Sequence, residues 1–323
     1  METWRGQVPG ELAGQRLDQV LAELVPELSR TQAKRLIDDG FCVLDGLRAK
    51  SGVRPTPGAA IAVRLVEPES EITPEDIPLE VLLEDDRLIV VNKPAGMASH
   101  PARGTPRGTL LNALTGHLHG RGGPRPRVTL LHRLDKDTSG AILAAKTVAV
   151  HRELKKQMDD GAVSRVYWAL VRGLPEPRRG TIREPLGRER GDKLRMVVSP
   201  RGLEAVTHYE VLATDGDLSL VCARLQTGRT HQIRVHFEWL GHPLVGERTY
   251  RGGRPRLDCL DEAFVGQALH SRSLSFDHPA TGRRLAVEAA LPAQMAEHVA
   301  RLGVPDLTVE PRAEGERPAP PRG

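Results

Sequence analysis

Residues 131–140 read LHRLDKDTSG, and this stretch carries the most specific motif in the chain. By turn statistics, an aspartate followed by Thr, Ser and Gly is more often a turn or capping residue than a catalyst. Here His132, Arg133 and Lys136 place three potential cations within four positions of Asp135. Such neighbours favour the ionised carboxylate and can also bind phosphate. Two interpretations of Asp135 follow, a turn residue in a basic loop or a nucleophile held by its neighbours.

A second polar stretch, LQTGRTHQIRVHFEWLGHPLVG, spans residues 225–246. Thr230 suits a helix N-cap, apolar residues then recur with the spacing of one helical face, and Gly241 ends the predicted helix. Backbone N–H groups at a helix start favour anions. Three basic residues fall at this start, namely Arg229, His231 and Arg234. They indicate either a solvated basic helix end or an anion site. The spacing of the histidines in this stretch does not fit a zinc site.

Tyr167 lies in RVYWALV, residues 165–171, which is a predicted β-strand. On an extended strand it shares a face with Ala169 and Val171, whose small side chains would leave the ring exposed to a ligand. A tyrosine in the core or at an interface is the more common case. A role in stacking on a nucleic-acid base therefore needs support from elsewhere in the chain.

The composition indicates a globular protein with a polyanionic partner. Hydrophobic residues make up 39% of the 323 residues, enough for a core, and the formal net charge is +4 with clustered arginines. The three cysteines form no CxxC pair, which argues against a disulfide framework or a zinc site. No nucleotide-binding motif and no apolar stretch of membrane-spanning length occurs, so we expect no nucleotide cofactor and a cytoplasmic location.

The chain divides into segments of different pattern. Before residue 66 there are two helical patterns, the second with Ser29 and Gln32 positioned for a capping box, and then short strand-like pieces. The acidic, proline-bearing stretch at 66–78 is typical of an interdomain linker. Beyond it, strands that are often adjacent predict an α+β domain with a largely antiparallel sheet. The proline-rich C-terminal residues predict a disordered tail.

Together these motifs resemble the RluA-type family of pseudouridine synthases, most closely its D branch of ribosomal large subunit enzymes. The most specific parts of the resemblance are HRLD followed by TSG and the downstream GRTHQIR. The matching segments, in family order, are VNKPAGM at 91–97, HRLDKDTSG at 132–140, RVYWALVRG at 165–173, TGRTHQIRVH at 227–236, HPLVG at 242–246 and ALHS at 268–271. Residues 15–65 look like an S4-like RNA-binding domain.

The resemblance implies an α+β pseudouridine synthase fold, whose central, largely antiparallel mixed sheet is flanked by helices and loops. The implied units are an S4-like domain at 13–68, a linker at 69–78, a catalytic domain at 79–303 and a disordered tail at 304–323. The implied reaction is isomerisation of uridine to pseudouridine in 23S ribosomal RNA or a ribosomal precursor particle, without cofactor or metal. We expect a monomer, because no heptad or large apolar stripe demands a dimer.

The resemblance also assigns roles to single residues. Asp135 supplies the carboxylate, Arg234 the ion pair that keeps it charged, and Tyr167 a ring that stacks under the uracil. Residues expected to bind RNA are Arg133, His132, Arg229 and His231 near the site and Arg30, Lys34 and Arg35 in the S4-like domain. After base flipping, the aspartate could attack C1′, remove the 2′ proton or act on the base. Two alternatives stay open, a tRNA pseudouridine synthase and a non-catalytic RNA-binding ribosome-assembly factor.

Overall fold

The N-terminal part of the structure is a small antiparallel sheet covered by two helices. The computed structural model describes residues 2–65, 72–102, 104–119, 128–189, 191–192, 195–253 and 258–304. The helices are α1 (Leu17–Leu24) and α2 (Arg30–Asp38), and the strands are β1 (Glu2–Gln7), β2 (Cys42–Leu44), β3 (Leu47–Arg48) and β4 (Ala60–Leu65). The strand order is β1-β4-β2-β3.

Local sequence explains where α2 begins. The Ser29 hydroxyl accepts the Gln32 N–H at 3.3 Å, and the Gln32 side-chain oxygen accepts the Ser29 N–H at 2.9 Å, which is the predicted capping box. Strand β1 was not predicted, yet it pairs with β4 along its whole length. The N-terminal sheet therefore includes residues that precede the expected start of this domain at residue 13.

A ten-stranded mixed sheet forms the larger part of the structure. In chain order, its strands are β5 (Glu80–Glu84), β6 (Leu88–Lys93), β7 (Thr129–Leu130), β8 (Ser139–Ala145), β9 (Ser164–Arg172), β10 (Arg179–Ile182), β13 (Thr207–Thr214), β14 (Leu218–Leu225), β15 (Leu269–Asp277) and β16 (Arg284–Glu288). Two further strands, β11 (Leu186–Arg188) and β12 (Met196–Val198), form a separate hairpin. The order is β10-β13-β14-β9-β15-β8-β6-β5, with β16 beside β15 and β7 beside β8. Among the described pairings only β8 with β15 is parallel, so the predicted largely antiparallel mixed sheet is confirmed.

Strand β9 is buried on both faces, which explains its continuous apolar run. Tyr167 and Ala169 belong to the core cluster that contains Phe237, whereas Trp168 belongs to the cluster that contains Met295. The helices of this larger part are α3 (Leu110–His119), α4 (Val148–Asp159), α5 (Gln232–Trp239), α6 (Cys259–Glu262) and α7 (Ala293–Arg301). A strand packed on both faces gives the side chains it carries a fixed position.

Gly140 allows β8 and β15 to meet closely at their parallel contact. Its φ is +113°, and a Cβ placed there would lie 2.3 Å from the Ser271 carbonyl oxygen. A larger residue would therefore collide with backbone and strain its own conformation. Next to it, the Ser139 hydroxyl and His270 Nδ1 lie 2.8 Å apart. This contact fixes the end of the loop that carries Asp135.

The predicted linker and tail fall partly outside the described residues. Residues 66–71 and 305–323 lie outside them, so the predicted tail is described only at Val304, which is buried at 8% exposure. The rest of the predicted linker has no helix or strand but packs on α3. The Glu75 N–H donates to the Asn112 carbonyl oxygen at 3.1 Å. A Cβ at Gly116 would lie 2.1 Å from the Glu75 carbonyl oxygen, so this segment is closely docked.

Candidate active site

The loop between β7 and β8 carries Asp135, and hydrogen bonds fix its backbone. The Ser99 hydroxyl donates to the Leu134 carbonyl oxygen at 2.6 Å and accepts the Leu134 N–H at 3.2 Å. The Thr138 N–H donates to the Asp135 carbonyl oxygen at 3.1 Å, which closes a turn. The turn chemistry of Thr, Ser and Gly thus shapes the loop, and the loop presents Asp135 to a cavity.

Asp135 is paired with Arg234, which is held in turn by Glu247. Arg234 Nη1 donates to Asp135 Oδ2 at 2.9 Å, while Nε and Nη2 donate to the two Glu247 oxygens at 2.7 and 2.8 Å. Bidentate pairing with Glu247 fixes the plane of the guanidinium. Burial lowers the pKa of Arg234, but Glu247 and Asp135 raise it by more, so the net shift is upward. Asp135 therefore faces a permanent cation in a fixed orientation.

Lys93 is fully buried beneath the same loop. Its ammonium donates to the carbonyl oxygens of Pro94 at 2.8 Å, Met97 at 2.7 Å and Lys136 at 3.0 Å. It thereby ties the loop after β6 to the loop that carries Asp135. Burial lowers the pKa of Lys93 to about 7, against the opposing effect of the neighbouring aspartates.

A Lys93→Met variant is expected to lose stability, because three carbonyl oxygens lose their donor. We expect a loss on the order of 1–3 kcal/mol at neutral pH, since removing the buried ammonium offsets part of the cost. Urea denaturation measures it. Because the pKa of Lys93 in the folded protein lies below its ordinary value of 10.5, wild type binds fewer protons than its unfolded chain between these two pH values. Its stability should therefore rise with pH from about 7 upward. The Lys93→Met variant should lack that rise, and an identical pH slope in both proteins would contradict the assignment.

Tyr167 reaches the cavity from β9 with its ring almost fully buried, at 4% exposure. The expectation that its small neighbours would leave the ring exposed is therefore wrong, because the ring is part of the core cluster that includes Leu134 and Ile233. Burial raises the pKa of the Tyr167 phenol; the charge of Arg165 lowers it and that of Asp135 raises it. Tyr167 is therefore a neutral phenol in this site.

Helix α5 begins one residue later than predicted, because His231 and not Thr230 is its N-cap. His231 has a left-handed φ of 57°, which is uncommon for a residue other than glycine. Its Nδ1 lies 2.7 Å from the Tyr250 hydroxyl, and its Nε2 lies 3.9 Å from Asp135 Oδ1. Burial lowers the pKa of His231. This backbone conformation thus turns a largely neutral imidazole toward the second oxygen of Asp135.

These side chains share one cavity of about 840 Å³. The predicted site residues that line it are Asp135, Tyr167, Arg234, Arg133, His132, Arg229 and His231. Arg133 is exposed, and its Nη2 lies 3.5 Å from the Thr230 hydroxyl. Burial, followed by the charge of Arg165, lowers the pKa of His132 to about 3. His132 is therefore neutral, which leaves Arg133 and Lys136 as the charged members of the three potential cations around Asp135.

The remaining predicted RNA-binding residues lie on α2 and do not line this cavity. Each of them faces a carboxylate of the same domain. The pairs are Arg30 with Asp18 at 3.2 Å, Lys34 with Asp38 at 3.0 Å and Arg35 with Asp39 at 3.6 Å. The three basic side chains are more than half exposed. The pairs of Lys34 and Arg35 are exposed on both sides and therefore weak, whereas Asp18, the partner of Arg30, is buried and also pairs with Arg16.

The sequence reasoning missed Glu247 and Tyr250, and it gave Lys93 no role. Glu247 directly follows the HPLVG segment, which was the one available signal. Nothing in that segment shows which arginine it binds, because its partner lies on α5 and the contact depends on the folded chain. Lys93 stands in the quoted NKPAG segment, but its three carbonyl contacts arise only when two loops meet.

Comparison with known proteins identifies relatives along most of the chain. A family model described as RNA pseudouridylate synthase matches residues 87–239, and an S4 domain model matches residues 15–61. An uncharacterized RNA pseudouridine synthase of Bacillus subtilis (strain 168) is 42% identical over 296 residues, which cover 90% of this chain and 95% of the relative. The ribosomal large subunit pseudouridine synthase D of Pseudomonas aeruginosa is 43% identical over 297 residues, covering 88% and 91%. The solved structure of human RNA pseudouridylate synthase domain containing 4 has a TM-score of 0.57 and 26% identity, covering 69% of this chain and 93% of that one.

The fold, the cavity and these matches define the class of protein, an RNA pseudouridine synthase, which is an isomerase. Within that class the chain belongs to the RluA-type family and carries an S4 RNA-binding domain at its N-terminus. The fold and family expected from the motifs are thereby confirmed. The alternative of a non-catalytic assembly factor is not supported by this membership.

The described residues lack features of a membrane span and of a metal site. None of their helices has the length and apolar character needed to cross a membrane. They also contain no group of three or more His, Cys, Asp or Glu side chains arranged to hold a metal ion. His236, whose spacing from His231 raised the question of zinc, lies 2.8 Å from the Thr207 hydroxyl and 3.0 Å from the Glu184 carbonyl oxygen.

Proposed function

We propose that this enzyme converts specific uridines of 23S ribosomal RNA to pseudouridine, with Asp135 as the essential nucleophile or base. The observation that carries this proposal is the Asp135–Arg234–Glu247 arrangement beside Tyr167 in one cavity. The choice of ribosomal RNA rests on relatives about 40% identical that are named ribosomal large subunit pseudouridine synthase D. The S4 domain is consistent with a large structured RNA as the partner.

The size and position of the cavity suit a nucleotide that has left its helix. Ligand sites commonly measure roughly 300–1,000 Å³, and the volume of about 840 Å³ lies in that range. A uridine stacked in an RNA helix cannot reach a carboxylate inside a cavity, so the target nucleotide must be extruded first. We propose that exposed Arg133 fills the vacated space or binds a flanking phosphate. Tyr167 then packs against the uracil.

The two oxygens of the Asp135 carboxylate have different partners and are therefore not equivalent. Arg234 donates a hydrogen bond to Oδ2, whereas the partner of Oδ1 among the described residues is the imidazole of His231, 3.9 Å away. We propose that Oδ1 is the atom that meets the sugar or base. Attack of Oδ1 on C1′ would form an Asp135–C1′ ester bond as the glycosidic bond breaks and uracil leaves as an anion. Bonding of uracil C5 to C1′ would then break the ester and regenerate the carboxylate, while C5 loses a proton and N1 gains one. Removal of the 2′ proton to give a glycal is the competing route.

In this proposal, basic residues in the cavity and on α2 bind the RNA. Arg229 and His132 contact the extruded nucleotide inside the cavity, while Arg30, Lys34 and Arg35 bind phosphates outside it. The enzyme acts as a monomer in the cytoplasm, on ribosomal RNA or a precursor particle. No cofactor or metal takes part in the proposed steps.

Pseudouridine mapping tests this function. Cellular 23S ribosomal RNA and tRNA from strains with and without the gene are compared by primer-stop sequencing after carbodiimide treatment. We expect specific sites in 23S ribosomal RNA to disappear with the gene and to return when the purified enzyme acts on the RNA lacking them. Sites lost only from tRNA would replace the substrate by tRNA, and unchanged maps in both RNAs would overturn the proposal.

A further inference from the structure

Arg165 is a buried arginine without an acidic partner in the part of the chain that the structure describes. Its exposure is 8%, and its Nε is buried and makes no hydrogen bond. The two other arginines buried to this degree pair with glutamates, Arg234 with Glu247 at 2.7 Å and Arg272 with Glu288 at 3.1 Å. A buried guanidinium without an anion costs stability. Its position therefore calls for a ligand that supplies the charge.

The head of Arg165 lies in the wall of the active-site cavity. Arg165 stands two residues before Tyr167 on β9, so both side chains leave the same face of the strand, roughly 7 Å apart. Gly228 leaves room for the guanidinium, because a Cβ at that position would lie 2.7 Å from Arg165 Nη1. A group held by Arg165 would thus lie beside a base packed on Tyr167.

The neighbouring side chains cannot neutralise this cation. His132 is neutral, and neither of its buried ring nitrogens makes a hydrogen bond of normal geometry with a described residue. Asp135 is already bonded to Arg234. Asp159 also lines the cavity, but it is paired with Lys155.

We propose that Arg165 binds a phosphate adjacent to the target uridine, with His132 as a neutral hydrogen-bonding neighbour. A guanidinium matches phosphate because it can form two parallel charge-assisted hydrogen bonds, and phosphate is the anionic group of a nucleotide. The inference rests on the proposed function, since it takes the ligand of this cavity to be a nucleotide of RNA. It adds a phosphate contact inside the cavity to the uracil contact at Tyr167.

Binding of small nucleotides tests this assignment without turnover of RNA. Uridine, uridine 5′-monophosphate and uridine 3′-monophosphate are titrated calorimetrically, at concentrations up to the millimolar range, into four proteins. These are wild type, Arg165→Gln, Arg165→Lys and Arg224→Gln, the last replacing an exposed arginine of β14 outside the cavity. We expect wild type to bind one monophosphate roughly tenfold more tightly than uridine. Arg165→Gln should lose this preference, Arg165→Lys should keep part of it, and Arg224→Gln should keep it all.

A melting curve separates a binding role from a structural one. Arg165→Gln should melt at or above the temperature of wild type, because an unpaired buried charge is removed. Gly228→Ala should displace the guanidinium while keeping its charge, and should weaken the preference for the monophosphate. The assignment is overturned if Arg165→Gln keeps the preference, or if wild type binds uridine and both monophosphates equally or not at all. The proposed function has a separate test, because its failure appears as unchanged pseudouridine maps.

Discussion

An Asp135→Asn variant is expected to bind its RNA but to form pseudouridine at least about 10³-fold more slowly than wild type. Asparagine has nearly the same size, so the turn and the cavity should persist. Its amide carries no negative charge and can neither attack C1′ nor accept a proton. Single-turnover release of tritium from RNA labelled at uridine C5 measures the rate, and filter binding measures the affinity.

Asp137→Asn is the matched control for Asp135→Asn. Asp137 lies two residues further along the same loop and does not line the cavity. It should retain activity within a few-fold of wild type while undergoing the same chemical change. Equal losses in both variants would indicate that loop charge, and not one reacting carboxylate, supports the reaction. Product formation at the wild-type rate by Asp135→Asn would remove Asp135 from the proposed chemistry altogether.

The local features of the fold and of the site were predictable from sequence because they depend on neighbours along the chain. The capping box at Ser29 and Gln32 and the turn after Asp135 follow from residue types at fixed offsets. The α+β class follows from the order of helical and strand-like patterns. Recognition of the family then rested on motifs whose spacing and order survive in this chain.

Contacts that join distant segments could not be predicted in the same way. The ion pair between Asp135 and Arg234, 99 residues apart, was expected from the family resemblance alone, and nothing in the sequence revealed that Glu247 holds Arg234 in place. The environment of Tyr167 was misjudged because its neighbours on β9 are small, while the packing around its ring comes from other segments. The neutral state of His132 likewise depends on burial, which a list of neighbouring residues does not show.

Removal of the cation from the central ion pair is expected to cost both stability and activity. In Arg234→Met, Glu247 keeps a buried carboxylate with 1% side-chain exposure, and Asp135 loses the guanidinium that lies 2.9 Å from its Oδ2. Breaking a buried pair by removing one member costs roughly 3–5 kcal/mol. Protonation removes the uncompensated charge, so the stability deficit should shrink as pH falls from 7 toward 5. Urea denaturation at several pH values measures this dependence.

Two further variants are needed to interpret Arg234→Met. Arg234→Lys distinguishes the effect of charge from that of side-chain geometry, and Arg301→Met controls for general effects of mutation. A lysine keeps the charge but cannot bond both Glu247 oxygens and Asp135 from one planar group, so it should recover more stability than activity. Arg301→Met breaks an exposed pair with Glu297 and should change neither quantity measurably. If Arg234→Lys were fully active, a nearby positive charge would suffice. Since Glu247 holds the guanidinium by two bonds, we expect that orientation, and not charge alone, keeps Asp135 Oδ1 directed into the cavity.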